Sequence, residues 1–128
     1  MGVRDNVHIL IVDDMSTSRG LITQAMDELG ITNYDTENDG TTALKRLAAR
    51  PVHLVISDYN MPGMNGLELL AALRQTKPTA RIGFILITGR ADKELLAKGQ
   101  SLGMNNYLAK PFTTAQMKTC IERVVGPL

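Results

Sequence analysis

Aliphatic and polar positions alternate along the chain in blocks that predict strands and helices in turn. Three nearly continuous aliphatic runs, at residues 8–12, 52–56 and 82–87, predict strands buried on both faces. Residues 33–37 predict a weaker strand whose polar positions suit the edge of a sheet, and residues 107–109 predict a short fifth strand. Strands buried on both faces require helices above and below a parallel sheet.

Apolar residues at helical spacing follow each predicted strand. The first predicted helix begins near Ser16, a candidate cap, and stops at Gly30. The second runs from Asp39-Gly40 and ends before Pro51, the third covers 67–73 before Lys77-Pro78, and the fourth covers 91–102. The fifth begins at a capping box formed by Thr113 and Gln116. The helix over 91–102 is the least apolar and contains Gly99, and an interior glycine costs about 0.5–1 kcal/mol relative to alanine. We therefore expect this helix to be the most mobile.

The resulting five βα units predict an α/β fold with a doubly wound, five-stranded parallel sheet in three αβα layers. Right-handed crossovers leave few strand orders. Among them the flavodoxin-like order 2-1-3-4-5 places the polar second strand at an edge and the three aliphatic strands at the centre. We predict that order.

Composition narrows the function classes. The 128 residues suffice for one domain with a buried core, so residues 1–128 are expected to form a single domain without an output domain. The net charge of +1 argues against nucleic-acid and anionic-membrane binding. Cys120 is the single cysteine, and no aliphatic run approaches the roughly 20 residues of a membrane helix. A soluble, cytoplasmic protein is expected.

Polar residues stand where the predicted strands end, namely Asp13, Asp14, Asp58, Thr88 and Lys110. The carboxyl ends of parallel strands share one edge, where such sheets bind ligands. Close carboxylates there repel by up to about 4 kcal/mol per pair at an effective dielectric near 20, so a cation is expected. Oxygen ligands without nearby histidine or cysteine favour Mg²⁺.

These groups also predict a reaction. A carboxylate beside Mg²⁺ can attack a phosphoryl group and form an aspartyl phosphate. Asp58 is the candidate nucleophile because it follows the central third strand, whereas the adjacent Asp13 and Asp14 are better placed to hold the metal. Lys110 would offset the charge of the phosphoryl group, and Thr88 could donate a hydrogen bond to it.

Four segments resemble one known family. The chain is similar to the receiver domains of bacterial response regulators, especially stand-alone chemotaxis proteins of the CheY type, along nearly its whole length. The segments are Val12-Asp13-Asp14-Met15-Ser16, Asp58-Tyr59-Asn60-Met61-Pro62-Gly63-Met64-Asn65-Gly66, Thr88-Gly89 and Tyr107-Leu108-Ala109-Lys110-Pro111-Phe112.

The resemblance implies roles for the predicted site. Asp58 would accept phosphate from the phosphohistidine of a histidine kinase. Asp13, Asp14, Asp58 and the backbone carbonyl of Asn60 would bind Mg²⁺, and Lys110 would pair with the phosphate. The protein would then be a phosphoacceptor rather than an ordinary enzyme, one that at most phosphorylates and dephosphorylates itself.

The same resemblance implies an output. Lys110 and Pro111 would be joined by a cis peptide bond. Thr88 and Tyr107 would form a switch, with the threonine drawn to the phosphate and the ring moving inward. The helix over 91–102, the fifth strand and the last helix would then change their affinity for a partner. The implied partner surface comprises Arg90, Ala91, Leu96, Tyr107 and Cys120.

The expected partners of this monomer are a CheA-like histidine kinase and a flagellar motor switch protein or another downstream protein. Cys120 stands where motor-binding relatives often carry a lysine. The alternative that the protein is a phosphate-sink receiver or a phosphorelay intermediate therefore stays open. A metal-dependent aspartyl-phosphate phosphatase is less favoured, because Met15 replaces the second aspartate of such enzymes. The complete set of acidic residues with Thr88 and Lys110 argues against a phosphorylation-independent binding domain.

Overall fold

The predicted sheet is present in the structure, a computed structural model that describes residues 2–90 and 92–128. Five parallel strands lie in the order β2-β1-β3-β4-β5. The strands are β1 (Ile9–Val12), β2 (Tyr34–Glu37), β3 (Leu54–Asp58), β4 (Gly83–Thr88) and β5 (Asn106–Ala109). The helices are α1 (Val3–Asn6), α2 (Ser16–Glu28), α3 (Gly40–Ala49), α4 (Gly66–Gln75), α5 (Lys93–Ser101) and α6 (Thr114–Val125), with a 3₁₀ turn at Lys77–Thr79. The predicted fold class and strand order are confirmed.

Alternating residues of the central strands build two cores. Ile9 and Ile11 of β1 belong to the core beneath α2 and α6. Leu10 and Val12 belong to the core on the other face, which contains residues of α3 and α4 and is flanked by α5. Successive strand residues point to opposite faces, so a continuous aliphatic run fills both layers.

The edge strand β2 carries ion pairs, and only its first residue, Tyr34, packs against the core. Arg46 of α3 lies 3.1 Å from Asp35 and 2.9 Å from Glu37, both on β2. His8 Nε2 lies 2.9 Å from the same Asp35 carboxylate. These partly exposed groups explain why a polar segment forms a strand at this position.

Several predicted boundaries are wrong. Helix α1 was not anticipated. Ser16 is the first residue of α2 rather than its cap, because Met15 holds the cap position without a side-chain hydrogen bond. Strand β3 starts at Leu54, two residues later than predicted, and includes Asp58.

Gly99 has a packing role that its low helix propensity did not reveal. A Cβ atom at this position would lie 2.8 Å from Met104 Sδ and 3.5 Å from Leu67 Cδ2. It is also the buried residue of α5, while Leu95 of this helix and Leu102 just after it only partly reach the core. The glycine lets α5 lie close to Met104 and to Leu67 of α4. The predicted mobility of this helix stays a prediction. Within residues 2–90 and 92–128, no helix is long and apolar enough to cross a membrane.

Candidate functional site: an acidic cleft at the carboxyl edge of the sheet

Three carboxylates meet at the ends of β1 and β3. One oxygen each from Asp13, Asp14 and Asp58 lie within 4.8 Å of one another. Val12 pairs with Ser57, so the strand register brings the residues that follow β1 beside the last residue of β3. The structure therefore brings together the three acidic residues that the sequence placed at one edge.

Local hydrogen bonds hold both the carboxylate and the backbone carbonyl of Asp13. The backbone N–H of Met15 donates to Asp13 Oδ1 at 3.0 Å, and the Arg19 guanidinium donates to the Asp13 carbonyl at 2.8 Å. Asp13 Oδ2 and Asp14 Oδ1 are buried and have no hydrogen-bond partner within the described part of the chain. Buried polar atoms left unsatisfied in this way are costly, so the two oxygens suit a cation.

Asp58 is buried between opposing charges. Its Oδ1 lies 2.8 Å from Lys110 Nζ, and its side chain is 7% exposed. Burial raises the pKa of the Asp58 carboxyl, the hydrogen bond from Lys110 opposes that shift, and the charges of Asp13 and Asp14 add to it. The net rise in the pKa of Asp58 means that the ionised carboxylate is disfavoured in the cleft. Binding of a cation there would therefore be favourable.

Lys110 enters the cleft from the loop after β5. Its Nζ also lies 2.9 Å from the hydroxyl oxygen of Ser18, on the first turn of α2. The peptide bond between Lys110 and Pro111 is cis, as the resemblance implied. The ammonium is thus held between a carboxylate of the sheet and a hydroxyl of a helix.

The loop between β3 and α4 folds closely over the phosphoacceptor candidate. A Cβ atom on Gly66 would lie 2.5 Å from the Asp58 carbonyl oxygen and 2.8 Å from Leu86 Cδ1, so only glycine fits. Asn65 and Glu68 form a capping box that begins α4 at this point. Asn60 is exposed in the loop, and its role as a carbonyl ligand stays a prediction.

The predicted switch pair lies at neighbouring strand ends. Thr88 is buried at the end of β4, and its hydroxyl oxygen accepts a hydrogen bond from the Arg90 backbone N–H at 3.0 Å. Thr88 pairs with Ala109 of β5, and Tyr107 lies two residues earlier on the same face of the sheet. Tyr107 is 39% exposed. The structure thus shows one arrangement of the pair, with the ring outward.

The residues of the predicted partner surface differ in exposure. Arg90 and Tyr107 are exposed, Leu96 is half-buried, and Ala91 lies outside the described residues. Cys120 is largely buried and its thiol donates to the Tyr107 carbonyl, and its place in the partner surface stays a prediction. Burial raises the pKa of this thiol to about 11, so Cys120 packs as a small apolar residue.

Two contributors to the site were missed from the sequence. Ser18 contacts Lys110, and Arg19 binds the Asp13 carbonyl. Both lie on the first turn of the helix that begins just after Asp13 and Asp14. That short distance in sequence from the acidic pair is the signal that would have found them.

Comparison with known proteins identifies the family. Residues 9–122 match the response regulator receiver domain, and the chain belongs to this family. Over 128 residues, its full length, it is 42% identical to a probable chemotaxis protein CheY of Rhizobium etli, of which the match covers 99%. Over 119 residues, 93% of the chain, it is 36% identical to chemotaxis protein CheY-3 of Vibrio cholerae, covering 92% of that relative.

Solved structures agree with this assignment. Chemotaxis protein CheY4 of Vibrio cholerae superimposes with a TM-score of 0.85 at 27% identity, over 92% of this chain and 98% of that one. The receiver domain of a sensor histidine kinase from Pseudomonas aeruginosa superimposes with a TM-score of 0.84 at 25% identity, over 94% and 98% of the two chains. The latter structure has a magnesium ion coordinated in its active site cleft.

Proposed function

We propose that Asp58 is the phosphoacceptor of this response regulator and that phosphorylation controls its contact with a partner protein. The observation that carries the proposal is the position of the Asp58 carboxylate, 2.8 Å from the Lys110 ammonium and beside the unsatisfied oxygens of Asp13 and Asp14. An opposing ammonium and a cation site on either side of one carboxylate fit in-line transfer of a phosphoryl group.

The transfer is a displacement at phosphorus. An oxygen of Asp58 attacks the phosphorus of a phosphohistidine, the new P–O bond forms as the P–N bond breaks, and the imidazole nitrogen keeps the electron pair and takes a proton from solvent. Lys110 pairs with the negative charge of the phosphoryl oxygens. The product is an aspartyl phosphate.

A metal would occupy the acidic side of the cleft. Asp13, Asp14, Asp58 and the backbone carbonyl of Asn60 would hold Mg²⁺, and the unsatisfied carboxylate oxygens support that set of ligands. A bound Mg²⁺ would offset negative charge on the transferring group. The magnesium reported in the cleft of the Pseudomonas aeruginosa receiver domain supports the choice of ion.

The family and its relatives support a proposal for the partners. Receiver domains act with histidine kinases and downstream targets, and relatives matched along nearly the whole chain are named chemotaxis proteins. We therefore propose a CheA-like kinase as donor and a flagellar motor switch protein, or another downstream protein, as target. The contact would be made through α5, β5 and α6 of the receiver domain.

Intact mass after incubation with Mg²⁺ and a small acyl phosphate tests the phosphoacceptor. The wild-type protein is expected to gain the mass of one phosphoryl group, and Asp58→Asn is expected to gain none. Asp39→Asn is the matched control, because Asp39 caps α3 outside the acidic cleft and should leave the gain intact. No gain in the wild type, or equal gain in wild type and Asp58→Asn, would refute the proposal.

A second experiment separates motor regulation from a phosphate-sink role. Phosphorylated and unphosphorylated protein are each passed over immobilised flagellar-switch peptide and over immobilised histidine kinase. Tighter binding of the phosphorylated form to the peptide supports the motor target. Rapid phosphate uptake from the kinase without any peptide binding supports a sink or phosphorelay intermediate, an alternative favoured by the lack of a charged side chain at Cys120.

A further inference from the structure

We propose that Ser18 is a positioning residue for the phosphoryl-transfer step, acting through Lys110. The inference rests on the proposed function, in which Lys110 stabilises the phosphoryl group. It concerns a side chain that neither the acidic motif nor the lysine motif contains. The two residues are 92 positions apart in the sequence, and their contact joins α2 to the loop after β5.

The contact limits the freedom of a flexible side chain. A free lysine side chain loses up to about 2 kcal/mol of rotamer entropy when it is fixed. Here the Lys110 ammonium meets two acceptors, Asp58 Oδ1 at 2.8 Å and Ser18 Oγ at 2.9 Å, and its side chain is 30% exposed. Two acceptors from different elements define the position of Nζ better than the salt bridge alone.

The two acceptors behave differently during the reaction. Phosphorylation converts the Asp58 carboxylate into an acyl phosphate, so the ion pair between Asp58 and Lys110 is necessarily rearranged. The Ser18 hydroxyl is chemically unchanged and lies on α2, which is fixed to the sheet by its buried face. Ser18 is therefore the acceptor that can hold the ammonium at the cleft before and after transfer.

The same turn of α2 supports the other side of the cleft. Arg19 donates to the Asp13 carbonyl at 2.8 Å. Ser18 also lines, with Lys110 and Phe112, a groove of about 640 Å³ between α2 and the loop after β5. A large phosphodonor protein could touch this groove, so the test uses a small acyl phosphate whose reaction does not depend on docking.

The experiment measures the second-order rate constant of phosphorylation by intact mass, at saturating Mg²⁺. Ser18→Ala is expected to be about threefold to tenfold slower, the range that one hydrogen bond of modest net strength gives. Ser18→Thr keeps the hydroxyl and should react within about twofold of the wild type. Ser16→Ala, at an exposed position on the same helix, is the matched control and should be unchanged.

A double-mutant cycle shows whether Ser18 acts through Lys110. In a Lys110→Met background, the further change Ser18→Ala is expected to have no effect on the rate. Mg²⁺ affinity should be the same for wild type and Ser18→Ala. A purely structural role would instead change the Mg²⁺ affinity and would slow the reaction equally with Lys110 and with Met at position 110.

The outcomes distinguish this inference from the proposed function. A wild-type protein that is not phosphorylated on Asp58 refutes the phosphoacceptor proposal itself. A wild-type protein that is phosphorylated at the same rate as Ser18→Ala leaves that proposal intact and overturns the role of Ser18. Equal slowing by Ser18→Ala with and without Lys110 also overturns it.

Discussion

The hydroxyl oxygen of Thr88 accepts a hydrogen bond from the backbone N–H of Arg90 at 3.0 Å, so the predicted phosphate sensor is engaged by its own loop. If phosphorylation of Asp58 draws the Thr88 hydroxyl into the cleft, this bond must break. The loop after β4 would then lose one of its internal restraints. Such a change would connect the cleft to the exposed surface at Arg90 and α5.

Amide exchange at Arg90 should therefore accelerate on phosphorylation. Loss of one hydrogen bond worth about 0.5–1.5 kcal/mol predicts a rate increase of about twofold to tenfold. The Ile31 amide, bonded to the Met26 carbonyl far from the cleft, serves as the internal control. In Thr88→Ala, exchange at Arg90 should be fast without phosphorylation. Unchanged exchange in fully phosphorylated protein would rule out this switch.

Mg²⁺ should stabilise the folded protein through the acidic cleft. At a Mg²⁺ concentration about 100-fold above Kd, the free energy of unfolding should rise by about 2.7 kcal/mol, measured by denaturant titration. Asp13→Asn should remove most of this gain while keeping the acceptor for the Met15 N–H. Asp39→Asn, which replaces one good helix cap by another, should keep the full gain. Equal stabilisation of both variants would place the metal elsewhere.

The raised pKa of Asp58 predicts a stability that falls as pH rises. A carboxyl whose pKa is higher in the folded protein than in the unfolded chain favours folding most when protonated, below the ordinary value of 3.8. That contribution is lost as pH rises through the folded pKa. Without Mg²⁺ at neutral pH, Asp58→Asn should therefore be more stable than wild type, since it removes a charge that burial disfavours and that Asp13 and Asp14 repel.

The measurement for Asp58 is chemical denaturation of both proteins with a chelator at several pH values. The difference in the free energy of unfolding should shrink towards zero as pH falls below 3.8. A constant difference would mean that the stabilisation does not come from ionisation of Asp58. Lower stability of Asp58→Asn at neutral pH would mean that the ion pair with Lys110 outweighs burial and repulsion.

The close approach at Gly66 predicts a local and costly effect of one added methyl group. Gly66→Ala should lower the free energy of unfolding by about 1–3 kcal/mol, because its Cβ would lie 2.5 Å from the Asp58 carbonyl oxygen. Phosphorylation of Asp58 should slow as the loop shifts. Gly20→Ala is the control: it lies inside α2 with open space around it and should raise stability by up to about 1 kcal/mol. Thermal unfolding with intact mass measures both effects.

The sequence by itself determined the sheet, its strand order and the convergence of Asp13, Asp14 and Asp58. The sheet and the convergence follow from local patterns, because a continuous aliphatic run must be covered on both faces and parallel strands share their carboxyl edge. The strand order rests as much on the resemblance to receiver domains as on the pattern. The polar residues at the ends of such strands therefore lie close together, regardless of how the helices pack on the sheet. The identities at this edge also fixed the expected ion and reaction class.

Tertiary structure alone decided the contacts between residues distant in the chain. The pairing of Ser18 with Lys110, the burial of Cys120 beneath β5 and the close fit of Gly99 against Met104 each depend on how one element packs on another. Local pattern carries no information on these distances, since side chains in different elements meet only after the layers have closed. The carboxyl edge was thus predictable, while the hydroxyl that holds its lysine was not.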